Sequence, residues 1–427
     1  MRRKLAHAVA TAVSEAQEGG TTTGSLREVA GVFLRLGCTA YGGPAAHVGM
    51  MRREMVERRH WVTEQEFLDL FGAANLIPGP SSTELCILLG YRRAGWRALI
   101  LAGALFILPA MVIVLAFAWA YVRFGTLPAT THMLYGVKPV IIAIIALALW
   151  GLRRTALKDW PYATVALGAG IMLLLGVNPL PLLLGGAAVL VVKVLGERAV
   201  KKGRSAALGL ILPTGLTAAG LQQRLGNVSK RQLLAGAVAA GGAGATVART
   251  ALSYRPLTLF LTFLKIGAIT YGGGYVLLAF LRDDFITHLH WLTNQQLLDA
   301  VAVGQFTPGP VFTTATFIGY LTGGWGGALL ATLAIFLPSF LFCAVVLRVL
   351  PFAQKSSLVR VALDGVNAAA VGLMAAVTLQ LGKAAFIDVP SALIGVGSLV
   401  LLLRFKWNSA WFVLAGALSG LAIKAIL

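Results

Sequence analysis

Charge is scarce in this chain, and negative charge scarcer still. Of 427 residues only 12% are Asp, Glu, Lys or Arg, about half the share of an ordinary soluble protein, which excludes a conventional solvated surface over a chain this long. Acids number 16 against 36 Lys and Arg. Three cysteines, Cys38, Cys86 and Cys343, stand at unrelated spacings in apolar surroundings, so neither a disulfide framework nor a zinc cluster is expected. His47 and His60 lack a metal-site spacing and His288 and His290 fall in a loop; no metal and no cofactor is expected. The first 24 residues begin with Arg-Arg-Lys but contain no long apolar core, so they read as a flexible leader, 1–24, and not as a cleaved signal.

What the chain has is apolar length. Residues of the AVILMFWYC set make up 58% of it, and stretches 98–122, 160–192 and 300–347 contain no Lys, Arg, Asp or Glu. Roughly 20 residues of helix cross a bilayer, so the expected fold is an all-α polytopic membrane protein. The net charge of +20 is spread over short clusters between apolar runs. That pattern fits loops at a lipid surface and not a soluble base-reading domain, so lipid is an expected partner and nucleic acid is not.

The chain also contains a near-copy of itself. Phe33-Leu34-Arg35-Leu36-Gly37 returns as Phe263-Leu264-Lys265-Ile266-Gly267, and Tyr41-Gly42-Gly43 as Tyr271-Gly272-Gly273. Trp61, Thr63, Asp69 and Pro78-Gly79-Pro80 pair in the same register with Trp291, Thr293, Asp299 and Pro308-Gly309-Pro310. One residue is then lost, and Gly90-Tyr91, Leu108-Pro109 and Gly136-Val137 match Gly319-Tyr320, Leu337-Pro338 and Gly365-Val366. A first transport domain over 25–200 and a second over 255–427 follow. Between them lies a connecting region, 201–254, in which 205–223 is ambiguous and 232–248 could supply one crossing.

Basic residues gather in short cytoplasmic loops, and here the bias inverts between equivalent loops. Arg52, Arg53, Arg58 and Arg59 face only Arg282 in the copy, and Arg92, Arg93 and Arg97 have no basic counterpart at 321–326. Conversely Arg123 stands alone against Arg348, Lys355 and Arg360. Two halves inserted in opposite senses, an inverted repeat, explain the reversal. The clusters at 52–59 and 92–97 both belong on the cytoplasmic side, so 64–91 is expected to enter and return, turning at Pro78-Gly79-Pro80, where proline removes an amide donor and glycine permits a sharp bend. Helices are expected at 98–122, 131–151, 162–175 and 179–192, and in the second half within 311–347, 363–382, 389–403 and 409–423.

Each copy combines a base inside an apolar run, a Tyr-Gly-Gly break and a Pro-Gly-Pro break. Arg35 and Lys265 either draw an anion or pair with a local acid and reach toward headgroups. Ser81, Ser82 and Thr83 follow Pro80, and Thr313 and Thr314 follow Pro310 closely. Helices restarting there would offer free amides, a positive dipole end and hydroxyls to an oxyanion; the same hydroxyls could merely pack or cap. Asn75 and Gln305 precede the breaks and either contact solute or satisfy carbonyls freed by the interruption. Glu84 has threonine in the corresponding place and could carry a proton, balance Arg35 or act as a structural partner. The Tyr41 and Tyr271 glycine motifs read as flexible breaks or close helix contacts. Thr63 with Glu66 and Thr293 with Gln296 read as helix caps. No nucleophile and base combination emerges, so an enzyme is not expected.

The series FLRLG…YGGP, WVTEQEFLDL and NLIPGPSSTE, repeated as FLKIG…YGGG, WLTNQQLLDA and QFTPGPVFTT, resembles the two-domain chromate ion transporter family over nearly the whole chain beyond the leader. The resemblance implies chromate efflux and resistance at the bacterial inner membrane, with sulfate as a related oxyanion. It places Arg35, Tyr41-Gly42-Gly43-Pro44, Asn75 and Pro78-Gly79-Pro80 in the first motif set. Lys265, Tyr271-Gly272-Gly273, Gln305 and Pro308-Gly309-Pro310 are the second-half positions, with Gly274 in place of Pro44. The expected function is secondary transport of a divalent tetrahedral oxyanion, chromate before sulfate, with an anion channel as the rival. Coupling to protons through Glu84 or to the membrane potential is open, and so is pairing into a homodimer through small-residue helix faces.

Overall fold

The computed structural model describes residues 24–41, 43–125, 127–201, 254–271, 274, 276–353, 357–405 and 409–426. The expected leader up to residue 23, most of the connecting region with 205–223 and 232–248, and Gly42, Gly272 and Gly273 lie outside them. The first half contains α1 (Leu26–Thr39), α2 (Gly43–Arg52), a π-helical turn (Arg53–Arg58), α3 (Glu64–Ala74), α4 (Ser81–Phe124), α5 (Pro128–Ala156), α6 (Trp160–Leu174) and α7 (Pro179–Lys201). The second repeats this order as α8 (Pro256–Ile269), α9 (Leu277–Leu281), a π-helical turn (Arg282–His288), α10 (Asn294–Phe306), a 3-10 turn (Val311–Thr313), α11 (Thr314–Ala353), α12 (Ser357–Ala385), α13 (Val389–Arg404) and α14 (Ser409–Ile426). Ser81–Phe124, Pro128–Arg153, Pro179–Arg198, Val311–Arg348 and Leu358–Ala385 are long and apolar enough to cross a membrane.

Two of these long helices are hairpins. α4 leaves helical geometry at Ala94 and Gly95, and α11 does so at Gly323 and Gly324. The Thr316 and Thr332 hydroxyls lie 2.7 Å apart, whereas sixteen residues of straight helix would separate them by about 24 Å. In the first half a methyl group at Gly90 would lie 2.5 Å from the Ala102 Cβ. Each hairpin therefore has a short limb, 81–93 or 311–322, and a long one, 96–124 or 325–353. Arg92, Arg93 and Arg97 gather around the tip of the first, as expected for a cytoplasmic turn.

The halves are exchanged through one another. α5 packs on α13 and α14, while its repeat equivalent α12 packs on α6 and α7. At the crossings a Cβ on Gly136 would strike the Gly416 carbonyl, and one on Gly365 would strike the Gly186 carbonyl, the same close contact made twice because small residues let backbones approach. The polar ties are reciprocal too. Tyr135 Oη donates to Asp388 Oδ1 at 2.6 Å, and Lys158, one residue before the equivalent of Asp388, reaches Oδ2 of Asp364, the equivalent of Tyr135, at 2.7 Å. The end of α5 thus lies by the start of α12, and the end of α12 by the start of α5. Equivalent helices run antiparallel, so the symmetry axis lies across them. The repeat is inverted.

Charge sorts the two ends of the bundle accordingly. At one end the Arg348 guanidinium covers Trp96 at 5.6 Å and Lys158 meets Asp364. At the other, Asn178 Nδ2 donates to Asp283 Oδ2 at 2.7 Å and Gln295 Nε2 to the Ala384 carbonyl at 2.7 Å. Arginine and lysine cluster at the first end, which is the cytoplasmic one by the loop rule. Cys86 and Cys343 are buried, but Cys38 is exposed, because it sits on the face of α1 opposite Phe33 and Gly37.

Candidate functional site

Both Pro-Gly-Pro breaks are built by the same local rules. Thr63 and Thr293 each close a capping box, with Glu66 and Gln296 returning the bond to the cap amide, which fixes the start of α3 and α10. The breaks then turn through Gly79 at φ +136° and Gly309 at φ +101°, a region that penalises any side chain. Pro80 and Pro310 precede the helical restarts.

The two breaks are pinned crosswise. The Gly79 amide donates to the Thr270 carbonyl at 2.8 Å, and the Gly309 amide to the Ala40 carbonyl at 2.8 Å. Ala40 and Thr270 are themselves repeat equivalents, each at the end of a helix before a Tyr-Gly-Gly motif. Each Pro-Gly-Pro break of one half is therefore held by the helix end that precedes the Tyr-Gly-Gly motif of the other. Tyr271 adds a third tie, its hydroxyl donating to the Asn75 carbonyl.

Between the breaks lies a cavity of about 20 Å³ lined by His47, Pro80, Ser81, Ser82, Gly274, Val311 and Phe312. Ser81 and Ser82 open one helix and Val311 and Phe312 the other, and the first amides of a helix have no partner within it. Two helix N-termini, one from each half, thus converge on one space with their positive ends toward it. The volume suits about one water molecule, so a four-oxygen anion requires the breaks to separate.

The side chains differ between the halves. His47 is 1% exposed, with Nδ1 at 3.3 Å from the Ser82 hydroxyl. Glu84 is fully buried, its Oε1 3.4 Å from the Ser339 hydroxyl and its Oε2 without a hydrogen bond. A methyl on Gly79 would collide with that carboxyl and with Ser339; on Gly309 it would press on the Ala110 methyl at 2.8 Å, with the Gly37 and Phe106 carbonyls at an ordinary 3.7 Å. Thr83 is buried with an unbonded hydroxyl, whereas Thr313 and Thr314 donate to the Pro310 and Val311 carbonyls at 2.8 Å each. Asn75 is exposed and satisfies the Phe71 carbonyl at 2.9 Å, while Gln305 is buried at 8% exposure. Tyr41 is exposed and its equivalent Tyr271 buried.

Arg35 and Lys265 do not line the cavity. Arg35 Nη2 lies 3.8 Å from Glu54 Oε2, and Lys265 Nζ pairs with Asp284 Oδ1. The acids are repeat equivalents in the two π-helical turns, so each base has the local partner that was one of its two expected roles. Their side chains stay 56% and 43% exposed.

Two features escaped the motif reading. His47 stands outside both motif sets, and its spacing from His60 speaks only against a metal site. Lys138 stands alone in an apolar run before Pro139, and the fold pairs it with Asp299 of the other half at 3.3 Å. Tyr121 donates to the second Asp299 oxygen at 2.9 Å, and Asp299 is 2% exposed. An isolated lysine within 131–151 was the available signal.

Antiparallel repeated halves, paired re-entrant breaks and helix N-termini meeting at the centre define a membrane transporter for small solutes. The chain belongs to the chromate transporter family, whose model matches residues 27–192 and again 257–421. It is 34% identical over 400 residues to the chromate transport protein of Cupriavidus metallidurans, covering 92% of both chains. It is 33% identical over 387 residues to the probable chromate transport protein of Synechococcus elongatus, covering 88% of this chain and 89% of that one. The uncharacterized transporter YwrA of Bacillus subtilis is 30% identical over 166 residues, which is 93% of its length and 38% of this chain. No solved structure gives a significant match. The protein is thus a multi-pass transporter of the bacterial inner membrane and not an enzyme.

Proposed function

We propose that the protein carries divalent tetrahedral oxyanions, chromate foremost, from the cytoplasm through the inner membrane. The observation that carries this reading is the convergence of two half-helix N-termini, one from each inverted half, on one space at the centre of the molecule. Amides at Ser81, Ser82, Val311 and Phe312 hold the anion oxygens. The hydroxyls of Ser81, Ser82 and Thr83 add donors on one side, while Thr313 and Thr314 shape the other. Arg35 and Lys265 raise the anion concentration near the entrances, and the Tyr-Gly-Gly and Pro-Gly-Pro breaks absorb the movement of one half against the other. Support for chromate comes from the relatives that bear its name and cover nine-tenths of their length.

A negative interior favours outward movement of a dianion by about 4.6 kcal/mol per 100 mV, twice the figure for one charge. Glu84 adds a proton-accepting group within the first restarted turn, and proton coupling belongs to this proposal. The test is chromate flux in sealed vesicles containing the purified protein, with voltage and pH gradients set independently and sulfate as competitor. Saturable flux that responds to voltage and is inhibited by sulfate is expected. Flux that never saturates favours a channel, and no flux of either anion rejects the reading.

A further inference from the structure

The expected bases, Arg35 and Lys265, are tied to acids away from the cavity, and the titratable side chain among those lining it is a histidine. His47 lies on α2, just past the first Tyr-Gly-Gly break, and packs edge-on against Phe106 with ring centroids 5.8 Å apart. It is 1% exposed. Its Nδ1 faces the Ser82 hydroxyl at 3.3 Å, Nε2 is buried with no close hydrogen-bond partner, and the Ala40 carbonyl lies beside the ring as the backbone acceptor nearest to it. When the hydroxyl donates to Nδ1, the neutral ring carries its proton on Nε2. The Ala40 carbonyl already accepts from the Gly309 amide at 2.8 Å, so a buried ring N–H gains from a further acceptor that a solute oxygen can supply. In the second half the equivalent residue is Leu277, fully buried and apolar, so the imidazole is not required by the repeated scaffold.

We infer that His47 is a substrate-binding residue, which donates Nε2–H to an oxygen of the bound oxyanion while Ser82 fixes its tautomer. This rests on the oxyanion reading of the site. The helix N-termini supply general attraction for an anion, and His47 supplies a directed donor on the first-half side only. The site is therefore one-sided. Ser82 is a positioning residue for the ring, and its replacement by alanine loosens the tautomer without removing the donor.

The test is direct binding of sulfate and chromate to the purified full-length protein in detergent, by calorimetry, for the unmutated chain, His47→Gln, His47→Leu and Leu277→Met. The unmutated chain and Leu277→Met should bind alike. His47→Leu should weaken binding tenfold or more, and His47→Gln, which keeps an N–H donor, should recover part of the loss. Nitrogen-15 spectra of histidine-labelled protein supply a readout that a merely structural role would not move. The ring resonance missing from His47→Gln should shift when sulfate is added to the unmutated chain. Equal affinities for all four proteins, or a His47 resonance that ignores sulfate while binding proceeds, overturns the role of His47 and leaves the oxyanion reading standing. No binding by the unmutated chain overturns both. Should His47→Leu fail to fold, His47→Gln and the resonance decide.

Discussion

The two Pro-Gly-Pro breaks share a backbone and differ in chemistry. Gly79 and Gly309 adopt the same kind of turn and make the same crosswise bond at 2.8 Å. Around Gly79, however, stand Glu84 and Ser339, with His47 on Ser82. Around Gly309 stands Ala110, and Leu277 takes the place of His47. Symmetry serves the scaffold and asymmetry the solute. On the proposed reading, a symmetric pair of breaks gives a structure that can open toward either side, while the histidine and carboxylate found at the first break alone would orient a bound anion. YwrA, which matches this chain over nearly its own whole length and 38% of ours, fits a repeat unit of which this chain holds two diverged copies.

Substitutions at equivalent positions break or sharpen this contrast. The largest effect is expected at Lys138, whose repeat equivalent is Asn367. Lys138→Met strands Asp299 in a site 2% exposed, and breaking a buried ion pair costs about 3–5 kcal/mol. Thermal unfolding in detergent should show the loss, recovered in large part by adding Asp299→Asn, while Asn367→Met is mild. If Asn367→Met is as damaging, the asymmetry here is illusory.

Next come the break glycines. Gly79→Ala and Gly309→Ala both force a side chain into positive φ, a strain of about 1–3 kcal/mol. Gly309→Ala should be eased by Ala110→Gly, which removes the methyl it would strike. Gly79→Ala has a carboxyl and a hydroxyl to displace and should remain the worse in melting temperature. Equal losses would mean that backbone strain alone governs both.

Glu84→Gln should change stability less than either glycine, since it keeps shape and removes a carboxyl that has no cation within ion-pair distance among the described residues. Its effect should fall on the pH dependence of chromate flux, which flattens, whereas Thr314→Ser leaves the profile unchanged. An unaltered profile in Glu84→Gln removes the proton role.

The smallest effect lies at the cytoplasmic end of the first half. There a hydrogen bond from Arg93 holds the Glu28 carboxyl below the ordinary glutamate value of 4.5, against partial desolvation, with Trp61 and Arg59 assisting. The equivalent residue in the second half is Thr258. A lowered carboxyl value contributes stability that is present above the unfolded value and lost as pH falls through the folded one. Glu28→Gln should therefore cost about 0.2–1 kcal/mol at neutral pH, and the difference should fade below pH 4.5. A gap that persists at low pH would assign Glu28 to packing.

The repeat, its inversion and the helix breaks were legible because each leaves a local mark. Proline and glycine at fixed spacing interrupt a helix wherever they occur, and the Arg53 region differs from the Asp283 region in composition before any folding. The threonine caps were legible for the same reason. The second hairpin was harder to read, since 311–347 carries no charge and only the glycines around Trp325 mark its turn. The expectation that both halves bring their breaks to one place could be written from the repeat, but which residues line the cavity between those breaks could not. Arg35 and Lys265 stand out in a linear chain because charge in an apolar run is conspicuous, yet their partners Glu54 and Asp284 lie in turns nearly twenty residues away in each half.

The sequence by itself determined that this is a helical membrane protein of two opposed copies, because hydropathy, charge bias and helix-breaking residues act over a few neighbours. Only the tertiary structure decided that Gly79 meets Thr270, that His47 faces Ser82 and that Lys138 finds Asp299. Those pairings join distant parts of the chain. Gly79 with Thr270 and Lys138 with Asp299 join the two halves, and His47 with Ser82 joins two helices of the first; each exists because a buried polar group needs a partner within the protein.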